Sequence, residues 1–170
     1  MLKYLGAVLG CLTCLPLFVA PFVLVAKSGI TDKTSSETYG LFADLSGLAD
    51  GYKMYDKTFQ SFWVTLFQIA VIVALVVAVV MLVVYILNDL GVLKLQKLEK
   101  VLATVLLVVG VVALVDIILC SLLNVATGEI TKTTISFVGS FVGWLVPAFA
   151  ILGGIFGIAG AGQKTKKKRK

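Results

Sequence analysis

Residues 62–87 run for 26 positions without a charged side chain, from Phe62 and Trp63 to Ile86 and Leu87. A bilayer's hydrocarbon core takes about 20 helical residues, and within it every backbone N–H and C=O must be satisfied inside the segment. The run therefore reads as a transmembrane helix. Residues 4–26, 101–123 and 136–162 have the same character, and the last is long enough to need a tilt or kink. Composition agrees. Of 170 residues, 59% are hydrophobic and 14% charged, and the mean hydropathy is +1.06, which excludes an ordinary soluble core.

The expected fold is an all-α integral membrane bundle of four transmembrane helices over residues 1–162, followed by a polybasic cytoplasmic tail, 163–170. An even number of spans puts both termini on one side, and the distribution of basic residues chooses which. With the N-terminus cytoplasmic, ten basic residues lie inside: Lys3, Lys94, Lys97, Lys100 and six in the tail. Five lie outside: Lys27, Lys33, Lys53, Lys57 and Lys132. The expectation is N-in/C-in, in the plasma (cytoplasmic) membrane, or in the endoplasmic reticulum of a eukaryote. Pro16 and Pro21 interrupt the first run, and Leu24 stands where a cut after Ala26 would want a small residue, so the run is read as a retained span.

The external loop 27–61 divides in two. Residues 28–38 are polar and read as irregular, whereas Leu41, Phe42, Leu45 and Leu48 recur at helical spacing before Gly51. They predict a short amphipathic helix that lies on the outer membrane surface or caps the bundle. The nearby rings of Tyr39, Phe42, Tyr52, Tyr55 and Phe59 suit lipid anchoring or a partner patch. Asp44, Asp50 and Asp56 match no calcium-loop spacing and read as solvated charges. Residues 88–100 are short enough to force an antiparallel hairpin, with Asp89 as a cap. The tail residues Lys164, Lys166, Lys167, Lys168, Arg169 and Lys170 should engage anionic lipid headgroups, at about 1 kcal/mol each. Without aromatic or structured context they do not indicate nucleic-acid binding.

Chemistry is sparse. The chain has no histidine and three cysteines, too few for a disulfide framework. Cys11 and Cys14 form a CxxC, but in an apolar span they read as small buried residues. Asp116 is the one carboxylate well inside a predicted span, where an acid costs about 2.5–3.5 kcal/mol to insert. Gln68 has a matching depth of about 9–11 Å from the outer edge at 1.5 Å per residue, and Thr65 and Ser140 are close to it. Asp116 and these partners could be interhelical hydrogen-bonded glue or a proton or cation site. Pro16, Pro21 and Pro147 free the carbonyls of Leu12, Leu17 and Gly143, which serves kinks or, more rarely, a pore lining. Ala70, Ala74 and Ala78 form one small-residue stripe. Gly139 with Gly143, and Gly153 with Gly157, have GxxxG spacing for close helix contacts.

The span count and larger first loop are similar in topology to claudin-like and other tetraspan proteins. Residues 27–61 contain no cysteine, so the Trp…Cys…Cys pattern of claudins is missing and the likeness ends at span count and loop size. The expected function is that of a small non-enzymatic multi-pass membrane protein, an interaction, accessory or membrane-organising component docking helices of a protein partner or of its own copies. The alternative is a homo-oligomeric channel, holin-like pore or small transporter that uses Asp116. No cofactor or metal is expected, since no paired acid, nucleophile with a base, or metal-ligand cluster is present.

Overall fold

The computed structural model describes residues 1–92, 95–128 and 132–167, the last six of these as backbone only. Three helices are long and apolar enough to cross a membrane: α3 (Ser61–Asp89), α4 (Gln96–Leu123) and α5 (Phe141–Lys167), whose apolar part is Phe141–Ala161. They arise where the sequence is continuously apolar and contain one proline, Pro147. A fourth helical segment is built differently. Helix α1 (Leu2–Cys11) tightens into a 3-10 helix, Leu12–Leu17, as Pro16 is approached. The 3-10 form rises faster per residue than the α form, so Leu2–Leu17 reaches roughly 27 Å, close to the thickness of a hydrocarbon core.

The remainder of the first apolar run is not helical. Pro21 cannot continue a helix, and the β-branched stretch that follows forms strand β1 (Phe22–Ser28). It pairs with β2 (Thr34–Tyr39) in an antiparallel hairpin whose turn holds Asp32 at φ 48°. After α4 come β3 (Val125–Thr127) and β4 (Thr133–Gly139), and the four strands form one antiparallel sheet ordered β2-β1-β4-β3. The all-α expectation is thus corrected to a mostly helical fold that carries a four-stranded sheet. The boundaries 4–26 and 136–162 change with it, since 22–26 and 136–139 are strand. The stretch 28–38, read as irregular, supplies most of a hairpin.

The β1–β4 pair runs from Phe22↔Gly139 to Ser28↔Thr133 and joins the segment after the first helix to the segment before the last. Ser140 fixes the junction: its hydroxyl donates to the Ala20 carbonyl at 2.7 Å, and its N–H donates to the Pro21 carbonyl at 2.7 Å. One sheet face is bolted to the helices by aromatic rings. Phe22 stacks on Phe137 at 5.1 Å and meets Phe67 of α3 edge-on at 5.3 Å, while Phe59 meets Phe137 at 5.3 Å. The short helix α2 (Ser46–Lys53) starts where Asp44 accepts hydrogen bonds from the Ser46 N–H and hydroxyl. It buries Leu48 and Tyr52 in the same cluster and so caps the bundle, but it begins later than the spacing predicts: Leu41, Phe42 and Leu45 precede it in non-helical chain. Tyr52 and Phe59 are core residues, while Phe42 is exposed.

Lys3 packs against Gly160, and Gly6 against Gly153 and Gly157, whereas Pro21 meets Gly143. Helix α1 therefore runs antiparallel to α5, and the two ends of the described chain lie at the end of the bundle opposite the sheet.

Candidate functional site

Asp116 projects from α4 into the core with 1% of its surface exposed. Its Oδ2 has no hydrogen-bond partner. Gln68 does not reach it: its amide donates to the Leu41 carbonyl. Thr65 donates to the Ser61 carbonyl at 3.1 Å, and Ser140 to Ala20 as above. The four polar residues that depth alone groups together are therefore spent on separate backbone carbonyls, apart from the acid itself. Among the described residues the buried polar or charged side chains are Lys3, Thr13, Glu99, Asp116 and Asn124. Thr13 donates to the Gly10 carbonyl at 2.7 Å. From Asp116 to Glu99 along α4 is about 26 Å at 1.5 Å per residue, and that stretch adds no further buried acid or base.

The small-residue stripes pack within the chain. Ala70, Ala74 and Ala78 are all buried, and Ala78 lies against Gly10. A β-carbon on Gly6 would sit 2.6 Å from the Gly153 carbonyl oxygen and 2.7 Å from the Gly157 nitrogen. Here α1 and α5 touch backbone to backbone, a separation that only glycine permits. Gly139 and Gly143 serve a different purpose, closing on Ile117 and on the Pro21 carbonyl.

At the end of the bundle away from the sheet lies a buried ionic cluster that the linear reading passes over. Lys3 is 4% exposed, and its Nζ lies 2.8 Å from Asp89 Oδ1 and 3.3 Å from Glu99 Oε1. The ammonium also stands 5.1 Å and 5.0 Å from the ring centroids of Tyr4 and Tyr85. Tyr4 donates its hydroxyl to Asp89 Oδ2 at 2.6 Å, and Asn88 donates to Glu99 Oε1 at 2.9 Å. The Asn88 side-chain Oδ1 accepts from the Leu95 N–H at 3.0 Å. One cation from α1 thereby bridges acids from the end of α3 and the start of α4. Asp89, read as a cap, is a salt-bridge partner, and Tyr85 beside it is fully buried. The signal available was Glu99, an acid at helical spacing among apolar positions 95, 98, 102 and 106, which puts it on the inward side.

A second unanticipated node sits under the sheet. Asn124, fully buried at the end of α4, accepts the Gln60 N–H on Oδ1 at 2.7 Å. Its backbone carbonyl accepts from the Tyr52 hydroxyl at 2.7 Å and from the Phe137 N–H at 2.9 Å. Burial pushes the Tyr52 phenol up to about 12, so it stays a donor at any physiological pH. Asn124 thus ties α2, the approach to α3, α4 and β4 together.

Cys11 and Cys14 are half-buried and Cys120 is buried, all as free thiols. Among the described residues, no three metal-ligating side chains converge. Lys168, Arg169 and Lys170 lie outside the described residues, as do the side chains of Lys164, Lys166 and Lys167, and Lys94. No protein-family model matches the sequence, and no curated protein matches it significantly.

Proposed function

We propose that this chain is a small four-span, non-enzymatic membrane protein with both termini cytoplasmic, acting as an interaction or membrane-organising component through its external sheet. The observation that carries this reading is the sheet itself. It is held to the bundle through one face, and its other face is uncovered. Three cross-strand rows lie on the uncovered side: Thr38, Val23 and Val138; Ser36, Val25, Ser136 and Val125; Thr34, Lys27, Thr134 and Thr127. All of these are at least partly exposed. A rigid platform of valines and hydroxyls outside the bilayer suits recognition of a protein surface. The glycine and alanine stripes are already occupied within the chain, which moves the expected partner contact from the membrane helices to this sheet. The short Leu2–Leu17 segment supplies the fourth crossing, and the basic tail provides lipid anchorage on the cytoplasmic side.

Isolation of the tagged protein from native membranes in mild detergent should recover one stoichiometric partner. The double variant Ser36→Lys/Thr38→Lys, which charges the open face, should lose it while remaining folded. Undiminished recovery with that variant would remove the sheet from the interaction.

Asp116 motivates a second reading, a homo-oligomeric pore or small transporter, because a buried carboxylate oxygen lacks a partner. Reconstituted in liposomes, Asp116→Asn should then abolish any proton or cation flux that the wild type shows. If Asp116→Asn matches wild type in flux and stability while Asp116→Leu loses stability, the acid is structural.

A further inference from the structure

Between α2 and the bundle-facing side of the sheet lies a cavity of about 270 Å³, at the small end of ligand pockets. Two carboxylates, Glu37 and Asp44, and two tyrosines, Tyr39 and Tyr52, contribute to its lining, and Gly47 and Gly51 of α2 face it one helical turn apart. These glycines do not serve close packing. A β-carbon on either would meet no other atom within 4 Å, so the absence of side chains keeps the space open. Among the described residues, no basic side chain lines the cavity. Lys53, the cation on α2, is turned to solvent and bonded to Asp50 at 2.9 Å. The Asp44 carboxyl is held below its usual range by the Ser46 N–H and hydroxyl, so it stays anionic. Glu37 accepts the Tyr39 hydroxyl at 3.0 Å, which orients that ring beside the acid. The Tyr52 hydroxyl is directed away, to Asn124, and its ring, packed on Phe59 and 2% exposed, forms part of the cavity floor.

Acids of one sign beside aromatic rings, with a volume that suits a few heavy atoms, define a narrow ligand class. We infer that this cavity binds a small alkylammonium group, its charge facing Glu37 and Asp44 and its methyl or methylene groups against the tyrosine rings. The group can come from a free metabolite or from a choline or ethanolamine lipid headgroup in the outer leaflet. The inference stands apart from the proposed partner surface, which lies on the opposite face of the sheet.

The test is saturation-transfer NMR of choline chloride with the full chain in maltoside micelles, which carry no ammonium. Choline should bind saturably, and its neutral isostere 3,3-dimethyl-1-butanol should bind at least about tenfold more weakly. The double variant Gly47→Leu/Gly51→Leu fills open space and favours helix, so it should unfold no lower than wild type and lose choline binding. Glu37→Gln, on an exposed edge strand, should weaken binding about tenfold without touching the core. In nanodiscs, loss of added-choline binding in phosphatidylcholine but not in phosphatidylglycerol identifies the headgroup as the source; equal binding in both identifies a free ligand. Absence of saturable choline binding, equal binding of the neutral isostere, or undiminished binding in the filled variant overturns the inference.

Discussion

Lys3→Met is expected to destabilise the protein by about 3–5 kcal/mol, a large effect for one lysine in the first turn of α1. The cost arises from what remains. Glu99 is 2% exposed, and among the described residues its charge without the ammonium 3.3 Å away keeps the Asn88 amide as its hydrogen-bond partner. A buried ion pair is often no more stabilising than an apolar pair of equal size, yet removing one member strands the other. The double variant Lys3→Met/Glu99→Gln should therefore recover most of the loss, and Lys3→Arg should cost little. Denaturant titration in detergent micelles reads all three. Equal stability of Lys3→Met and wild type, or a double variant worse than either single one, would refute the coupling. Nine other basic residues still favour a cytoplasmic N-terminus, so the substitution tests packing rather than orientation.

Gly6→Leu should separate α1 from α5. Overpacking a well-filled core costs about 1–3 kcal/mol when side chains can move aside. Here the obstacles are the Gly153 carbonyl and the Gly157 amide, which are backbone, so the cost should exceed that range. The measurable result is a shortened lifetime in detergent and protease access near the N-terminus. Gly47→Ala is the matched control. It meets no atom within 4 Å and should stabilise α2 by about 0.5–1 kcal/mol. If both substitutions had the same small effect, the α1–α5 contact would not be the tight seam described.

The helices were legible in the sequence to the extent that length and uninterrupted apolarity specify them. Residues 62–87 and 101–123 fall inside α3 and α4. The strands were hidden because β1 and β4 continue apolar runs that also hold helix. A short apolar stretch has no period that separates a buried strand from a membrane helix. The arbitrating marks were local: Pro21 ahead of Phe22–Ser28, and Gly139-Ser140 between Thr133–Gly139 and α5. The ionic cluster was hidden for another reason. Lys3 lies 86 positions from Asp89 and 96 from Glu99, and each residue alone resembles a headgroup contact at a span end. Depth did group Asp116 with Gln68, but it carries no azimuth, and Gln68 instead serves the Leu41 carbonyl. The glycine spacing carries no partner, and the fold shows Gly153 and Gly157 against α1 of the same chain.

Strand β1 has β2 available as soon as the first hairpin is made, but its other neighbour, β4, follows more than a hundred residues later. During synthesis, one hydrogen-bonding edge of Phe22–Ser28 therefore waits while α3 and α4 are made. The sheet closes only once β4, which directly precedes the final helix, is available. Closing that edge across more than a hundred intervening residues is a long-range step, and the topology leaves the unpaired edge exposed until it is made.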